Sequence, residues 1–177
     1  MCIRDSHFPS WTWFNLQGVM HRAALLPLTL ALLSCGPDEA APPTSLVPAD
    51  YAASFVEVRG CRMTTEHTAT TPGLIVSHIR VLTSPEAAAP YRANAARLPT
   101  GALVIKEEYA DASCSRLRAW TVMRKEPAGY DAAHNDWRWQ RVRAADRAVL
   151  VDGRVASCIS CHDTPACTAR DWQCTVP

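Results

Sequence analysis

A Cys-x-x-Cys-His sequence near the end of the chain constrains its fold more than any other feature, because the chain must fold around whatever this motif binds. The motif runs Cys158-Ile159-Ser160-Cys161-His162, and this spacing is that of c-type haem attachment. Two thiols so placed can each bond to one haem vinyl group, which brings the adjacent histidine beneath the iron. We therefore expect one covalent haem c, with Cys158 and Cys161 as the thioether cysteines and His162 as the proximal iron ligand.

A thioredoxin-like redox pair is the competing interpretation of Cys-x-x-Cys alone. That interpretation needs a βαβ context, which the sequence around the motif does not provide, and only fifteen residues follow His162. The motif therefore favours haem.

The sequence beyond the motif bears on the sixth iron ligand. Soluble electron-carrier cytochromes usually supply a methionine downstream, but here only Cys167 and Cys174 could ligate iron after His162, and Met63 and Met123 both lie upstream. This predicts a five-coordinate iron open to small molecules. The alternative is that an upstream histidine closes the site: His67, His78 or His134.

The first part of the chain predicts export. Residues 1–19 are interpreted as an upstream artefact, since the first six resemble translated sequencing adapter, and residues 20–34 as a lipoprotein signal peptide. Ser34 followed by Cys35 resembles the lipobox of bacterial lipoproteins, in which the mature chain begins at a lipidated cysteine. A plain signal peptide that contains a cysteine is the alternative. Residues 35–49 are expected to form a poorly packed Pro- and Ala-rich tether, and residues 50–177 the haem domain.

These features predict the compartment and exclude some partners. Export indicates the periplasm or the cell envelope, where disulfides persist, with membrane contact through the lipid anchor alone. The formal net charge is +1 at pH 7, so no basic surface favours nucleic acid. No stretch reaches the ~20 apolar residues that a membrane span needs.

The folded region predicts one α+β domain, mainly antiparallel sheet with a few flanking helices and a C-terminal haem-attachment helix. Asp50 is placed to cap a helix in which Tyr51, Phe55 and Val58 share one face, and Pro85 begins a second helix that runs to about residue 97. Strands are predicted over residues 74–82, 102–109, 118–125, 135–143 and 148–151.

Several segments together resemble the cytochrome P-460 family, which includes cytochrome c′-beta. In chain order they are Arg80 six positions after Leu74, the run Leu98-Pro99-Thr100-Gly101-Ala102-Leu103-Val104-Ile105-Lys106-Glu107, then Val122-Met123-Arg124-Lys125, Gly129-Tyr130, Asp136-Trp137 and the haem motif. The resemblance implies a small, exported, mainly antiparallel β protein that is usually homodimeric. Family members either oxidise hydroxylamine or bind nitric oxide and related gases at a five-coordinate haem.

The resemblance also implies roles for two side chains. Arg80 matches the family's distal-pocket arginine, whose guanidinium would lie over the iron and donate to a bound N–O group. Lys106, one of two lysines beside sixteen arginines, matches the lysine that bonds covalently to the haem edge in true cytochromes P-460. Alternatively, Arg80 is an ordinary strand arginine paired with Glu107 or Glu108, and Lys106 is a solvated lysine beside those same two acids.

Four cysteines remain after the lipid and haem thiols are assigned: Cys61, Cys114, Cys167 and Cys174. They allow three disulfide connectivities. We favour Cys167 joined to an upstream cysteine, because the six residues between Cys167 and Cys174 make a tight loop.

Two functional classes follow. The first is an enzyme that oxidises hydroxylamine, with Arg80 as hydrogen-bond donor, Glu107 or Glu108 as proton acceptor, and a redox partner protein that takes the electrons. The second is a protein that binds nitric oxide without turnover. Plain electron transfer is a further alternative, disfavoured by the lack of a downstream methionine.

Overall fold

Six strands form one antiparallel sheet in which spatial order follows chain order. The structure is a computed structural model that describes residues 41–64 and 76–175. The strands are β1 (Val56–Met63), β2 (His78–Thr83), β3 (Leu103–Tyr109), β4 (Leu117–Lys125), β5 (Trp137–Arg143) and β6 (Val149–Gly153). The helices are α1 (Tyr51–Ser54), α2 (Pro85–Arg92), α3 (Ala156–His162) and α4 (Pro165–Thr168), with a 3-10 turn at Ala132–His134. The predicted α+β fold, dominated by antiparallel sheet, is confirmed.

The register of the central strands decides which side chains share a face. Arg80 lies opposite Glu107, and Val81 lies opposite Lys106, across β2 and β3. Since successive side chains of a strand point to opposite faces, these two pairs belong to different faces of the sheet. We call the face with Val81, Val104, Lys106, Thr121 and Met123 the cavity face, and the face with Arg80, Ile105, Glu107, Trp120 and Val142 the back face.

Each face packs a separate apolar core. On the cavity face, Trp137 and Trp139 of β5 pack with Tyr91 of α2 and Trp172 of the C-terminal segment, and the half-buried Cys158 and Ile159 of α3 lie against them. On the back face, the core contains Val47, Tyr51, Ile105, Trp120, Val122 and Val142. The haem motif therefore lies on the cavity face. Among the described residues, no helix combines the length and apolar character of a membrane span.

The first predicted helix is wrong beyond its first turn. α1 ends at Ser54 and β1 begins at Val56, so no helical face reaches Val58, and Asp50 makes no side-chain capping bond. Val56 instead pairs with Thr83 of β2. Pairing with a neighbouring strand satisfies backbone groups and suits β-branched residues, whereas a helix this short is not stable by itself.

The other predicted elements differ only at their ends. α2 stops at Arg92 because Asn94 adopts the left-handed conformation, with φ of 52°, which ends a helix. The predicted strand over 74–82 appears as β2 from His78, and its first two residues lie outside the described residues. Strands β3 to β6 fall where the alternation of apolar residues predicts them.

The packed part of the chain extends before residue 50, into the expected tether. Val47 is 2% exposed and belongs to the back-face core. The Gln140 side chain accepts a hydrogen bond from the Leu46 N–H at 2.7 Å and donates one to the Thr44 carbonyl at 3.0 Å. The ordered domain therefore includes residues from Thr44 onward.

The disulfide pairing differs from the favoured one. Cys61 is bonded to Cys114, and Cys167 is bonded to Cys174, a connection across only seven positions. Asp171 and Trp172, with φ of 52° and 68°, both adopt the left-handed conformation. These two residues turn the chain back on itself, so the Cα atoms of Cys167 and Cys174 approach to 4.4 Å. That spacing lies within the range of ordinary disulfides.

Candidate haem site

The haem motif occupies α3, whose apolar side packs onto the cavity face. Cys158 is half-buried against the core, while Cys161, three residues further along the helix, is exposed. In the described part of the chain, these are the two cysteines that form no disulfide. Burial raises the pKa of the Cys158 thiol to about 11, so it is protonated near neutral pH. Because neither thiol forms a disulfide, both are available for attachment of a vinyl group.

His162, the last residue of α3, is held in a defined orientation. Its Nδ1 lies 2.6 Å from the carbonyl oxygen of Trp172, and the Trp139 ring packs edge-on against it with centroids 4.6 Å apart. A carbonyl oxygen can only accept, so Nδ1 carries the proton and the lone pair of the neutral ring is on Nε2. This is the tautomer that binds iron through Nε2.

A cavity lies between the sheet and the C-terminal segment. Its walls come from β2, β3, β4, α2, α3 and the tail: Val81, Tyr91, Val104, Lys106, Thr121, Met123, His162, Gln173, Cys174 and Thr175. Lys106 and His162 are thus brought to the same cavity. Lys106 is half-buried and lies between Val81 and Thr121 in the register of the three strands.

Glu108 lies two residues beyond Lys106 and therefore on the same face. It is fully buried, accepts a hydrogen bond from the Thr121 hydroxyl, and binds the Arg141 guanidinium at 2.6 Å. The Glu108–Arg141 ion pair therefore lies on the same face of the sheet as the haem motif.

The structure contradicts the expected placement of Arg80 and Glu107. Both lie on the back face, where Arg80 Nε donates to Glu107 at 2.5 Å. The hydroxyls of Tyr51 and Tyr109 donate to the same carboxylate at 2.7 Å each. Burial and the Glu107 charge raise the pKa of both tyrosines, that of Tyr51 to about 12. The sheet itself separates Arg80 and Glu107 from His162, so they form a structural cluster.

The candidate sixth ligands of the haem iron lie in different parts of the structure. His78 lies on the back-face side of β2 and contacts the Ser77 hydroxyl at 3.0 Å, and His134 contacts Asp131 at 2.9 Å. Neither lines the cavity, whereas Met123 does. His67 lies outside the described residues.

Two important contacts of His162 could not be predicted from the Cys-x-x-Cys-His motif. The bond to His162 comes from a backbone carbonyl, which any residue at position 172 could supply. Trp139 was identifiable as a core residue, but its ring contact with His162 depends on how the C-terminal segment folds back. The alternating tryptophans of β5 are a sequence signal for burial on this face and nothing more.

The side chains at this site fit a haem. Two unpaired thiols and a histidine oriented for iron meet at one cavity, and the buried indole N–H of Trp139 has no hydrogen-bond partner among the described residues. Within residues 41–64 and 76–175, no cluster of three or more metal-binding side chains occurs. Haem iron takes four of its ligands from the porphyrin and requires only an axial one from the protein.

An antiparallel sheet with a Cys-x-x-Cys-His helix on one face defines a β-sheet haem protein. The family model for cytochrome P460 matches residues 48–174, so this chain belongs to the cytochrome P460 family and is a c-type haem cytochrome. A search of the curated proteins finds no match.

Proposed function

We propose that the protein is an exported mono-haem cytochrome of the P460 type, which oxidises hydroxylamine or a related small nitrogen species at a five-coordinate haem. One haem c would be bonded to Cys158 and Cys161, with His162 as the proximal ligand. The observation that carries this proposal is that Lys106 and His162 line the same cavity. A lysine in that position is within the walls that would surround the haem.

The chemistry divides between the cofactor and the chain. When bound, haem supplies an iron with an open coordination position for a nitrogen ligand and accepts electrons from it. The hydrogen bond from His162 Nδ1 to the Trp172 carbonyl would hold the imidazole in the orientation from which Nε2 binds the iron. The bond from Lys106 Nζ would replace one hydrogen at the haem edge. The two protons released would pass to base, and the two electrons would pass to a two-electron oxidant of the peroxide class.

Proton transfer at the site is assigned to Glu108. Oxidation of hydroxylamine releases protons as well as electrons, so a nearby carboxylate speeds the reaction. Glu108 is on the cavity face, and its pairing with Arg141 stabilises the carboxylate in a buried position. Electrons would then leave to a separate redox partner protein.

The test is the absorption spectrum of the ferrous holoprotein with two variants of one residue. In the wild type, the Lys106 bond should shift the Soret band to the red, and a tryptic haem peptide should carry both the Lys106 segment and the Cys158–His162 segment. Lys106→Ala and Lys106→Arg should both show an ordinary c-type spectrum, because a guanidinium stays protonated and is a poor nucleophile. Both should lose hydroxylamine oxidation and still bind nitric oxide.

Two other results would replace this proposal. An ordinary wild-type spectrum with ready nitric oxide binding would make the protein a gas-binding cytochrome of the c′-beta kind. A low-spin ferrous spectrum that becomes high-spin in Met123→Leu would mean that Met123, which lines the cavity, closes the iron and that the protein transfers electrons.

We also propose that the protein acts in the periplasm or cell envelope as a lipid-anchored homodimer. The sequence pattern up to Cys35 supports the anchor, and the family resemblance supports the dimer. Sedimentation equilibrium of the holoprotein without its lipid should give twice the mass of one chain.

A further inference from the structure

The carbonyl that binds His162 belongs to a strained piece of backbone. Asp171 and Trp172 are consecutive non-glycine residues in the left-handed conformation, with φ of 52° and 68°. Such residues cost free energy and persist only where their surroundings hold them. The position of the Trp172 carbonyl therefore depends on the contacts that fix this turn.

The Asp171 side chain supplies those contacts from inside the protein. Its carboxylate binds Lys125 Nζ at 2.6 and 2.9 Å, and both side chains are 0% exposed. It also accepts hydrogen bonds from the Leu98 N–H at 2.6 Å and from Asn135 Nδ2 at 2.7 Å. The Trp137 indole donates to the Asp171 carbonyl at 3.0 Å. The turn is thus tied to β4, to β5 and to the two loops that precede β3 and β5.

Neither Lys125 nor Asp171 is among the residues that line the cavity. Their connection to the site runs through one peptide unit, from the Asp171 side chain to the Trp172 carbonyl and from there to His162 Nδ1 at 2.6 Å. We propose that the buried Lys125–Asp171 pair positions the proximal ligand: it sets the strength of the hydrogen bond to His162 and, through it, the reduction potential of the haem.

The direction of the effect follows from the chemistry of imidazole. A strong hydrogen bond from Nδ1 makes the ring a more basic ligand, and a more basic axial ligand stabilises ferric over ferrous iron. Loss of the pair lets the turn relax and weakens this bond. The midpoint potential should then rise, and the iron–histidine stretching frequency of the ferrous protein should fall.

The decisive variant is the double substitution Lys125→Met with Asp171→Asn. Removal of a single charge would leave the other buried and unpaired, which destabilises strongly and also changes the electric field at the haem. The double variant removes one positive and one negative charge, so the net electric field at the haem changes little. Replacement of a whole buried pair also destabilises a protein far less than removal of one partner. A shift in its potential therefore reports the hydrogen bond. Asp171→Asn alone, where it folds, should shift the potential in the same direction.

The matched control is the double substitution Arg80→Met with Glu107→Gln, which also removes one positive and one negative charge. Glu107 is likewise a buried carboxylate with a cationic partner and two further donors, but it lies on the back face. This control should lower the unfolding midpoint and leave the potential and the stretching frequency at their wild-type values. A Lys125–Asp171 double variant with wild-type potential and stretching frequency would overturn the proposal, as would equal shifts in the control. The inference rests on the proposed haem attachment, whose failure is distinguishable because the wild type itself would then carry no covalent haem.

Discussion

At the residue scale, one position of strand register separates the residues that belong to the site from those that do not. Glu107 and Glu108 are neighbours in sequence, yet Glu107 binds Tyr51, Tyr109 and Arg80 on the back face, while Glu108 binds Arg141 on the cavity face. Alternation of side chains along β3 is the cause. The two carboxylates therefore have different partners although they are adjacent in sequence.

Arg80→Ala should leave the haem spectrum and the rate of hydroxylamine oxidation unchanged. Arg80 is bonded to Glu107 on the back face, so its loss deprives a buried carboxylate of one donor. We expect the free energy of unfolding to fall by about 1–3 kcal/mol, measured by urea denaturation of the holoprotein. A turnover rate clearly below that of the wild type would instead show that Arg80 contacts the bound ligand.

Tyr51 should make the stability of the protein fall at alkaline pH. Burial raises its pKa from 10.0 to about 12, with the Glu107 hydrogen bond as the second cause. A raised pKa in the folded state means that the stability is complete below pH 10 and is lost as pH rises toward 12. Denaturation at a series of pH values should show this loss in the wild type and a smaller one in Tyr51→Phe. Equal slopes for the two proteins would contradict the assignment.

At the scale of elements, the Cys61–Cys114 disulfide joins the end of β1 to the loop between β3 and β4. It closes a separation of 53 residues, so it restricts the unfolded chain considerably. Cys61→Ala with Cys114→Ala should lower the free energy of unfolding by about 2–4 kcal/mol. The haem spectrum should not change, because neither cysteine lines the cavity. An altered spectrum would mean that this loop reaches the haem.

The elements that sequence predicted well are those whose signal is local. Alternating apolar residues fixed β3, β4 and β5 to within two residues. The spacing of the motif places Cys158, Cys161 and His162 on one helix. Lys106 lies beside the apolar residues expected around it, because Val104, two residues earlier on the same strand, points to the same face of the sheet.

Sequence failed where the answer depends on how separate elements meet. The alternation of side chains along β2, including Arg80, is as the sequence predicts. Whether Arg80 lies on the same face of the sheet as Lys106 depends on the register between β2 and β3, since a slip of one residue exchanges the two faces of a strand. The Cys167–Cys174 bridge required two non-glycine residues in the left-handed conformation, which sequence propensity disfavours. The first helix failed because its residues pair with β2, a partner distant in sequence.

At the scale of the whole molecule, the packed N-terminal segment shortens the length of chain between the domain and the proposed lipid anchor. Thr44 and Leu46 are fixed to Gln140 of β5, and Val47 is buried. If Cys35 carries the lipid, only residues 36–43 connect it to the first of these contacts. Such a segment spans at most roughly 30 Å when fully extended. The haem domain would therefore remain close to the membrane surface, within reach of membrane-bound redox partners.

Cys35→Ser should release the holoprotein from the membrane fraction without a change in its haem spectrum, because the substitution lies outside residues 44–47, which pack onto the sheet. Mass spectrometry of the wild-type N-terminal peptide should show a lipid on Cys35. Val47→Asp is the matched comparison: it places a charge in the back-face core and should lower the unfolding midpoint while the protein stays in the membrane fraction. A wild-type protein that is already released, with an unmodified N-terminal peptide, would instead indicate a plain signal peptide and simple secretion.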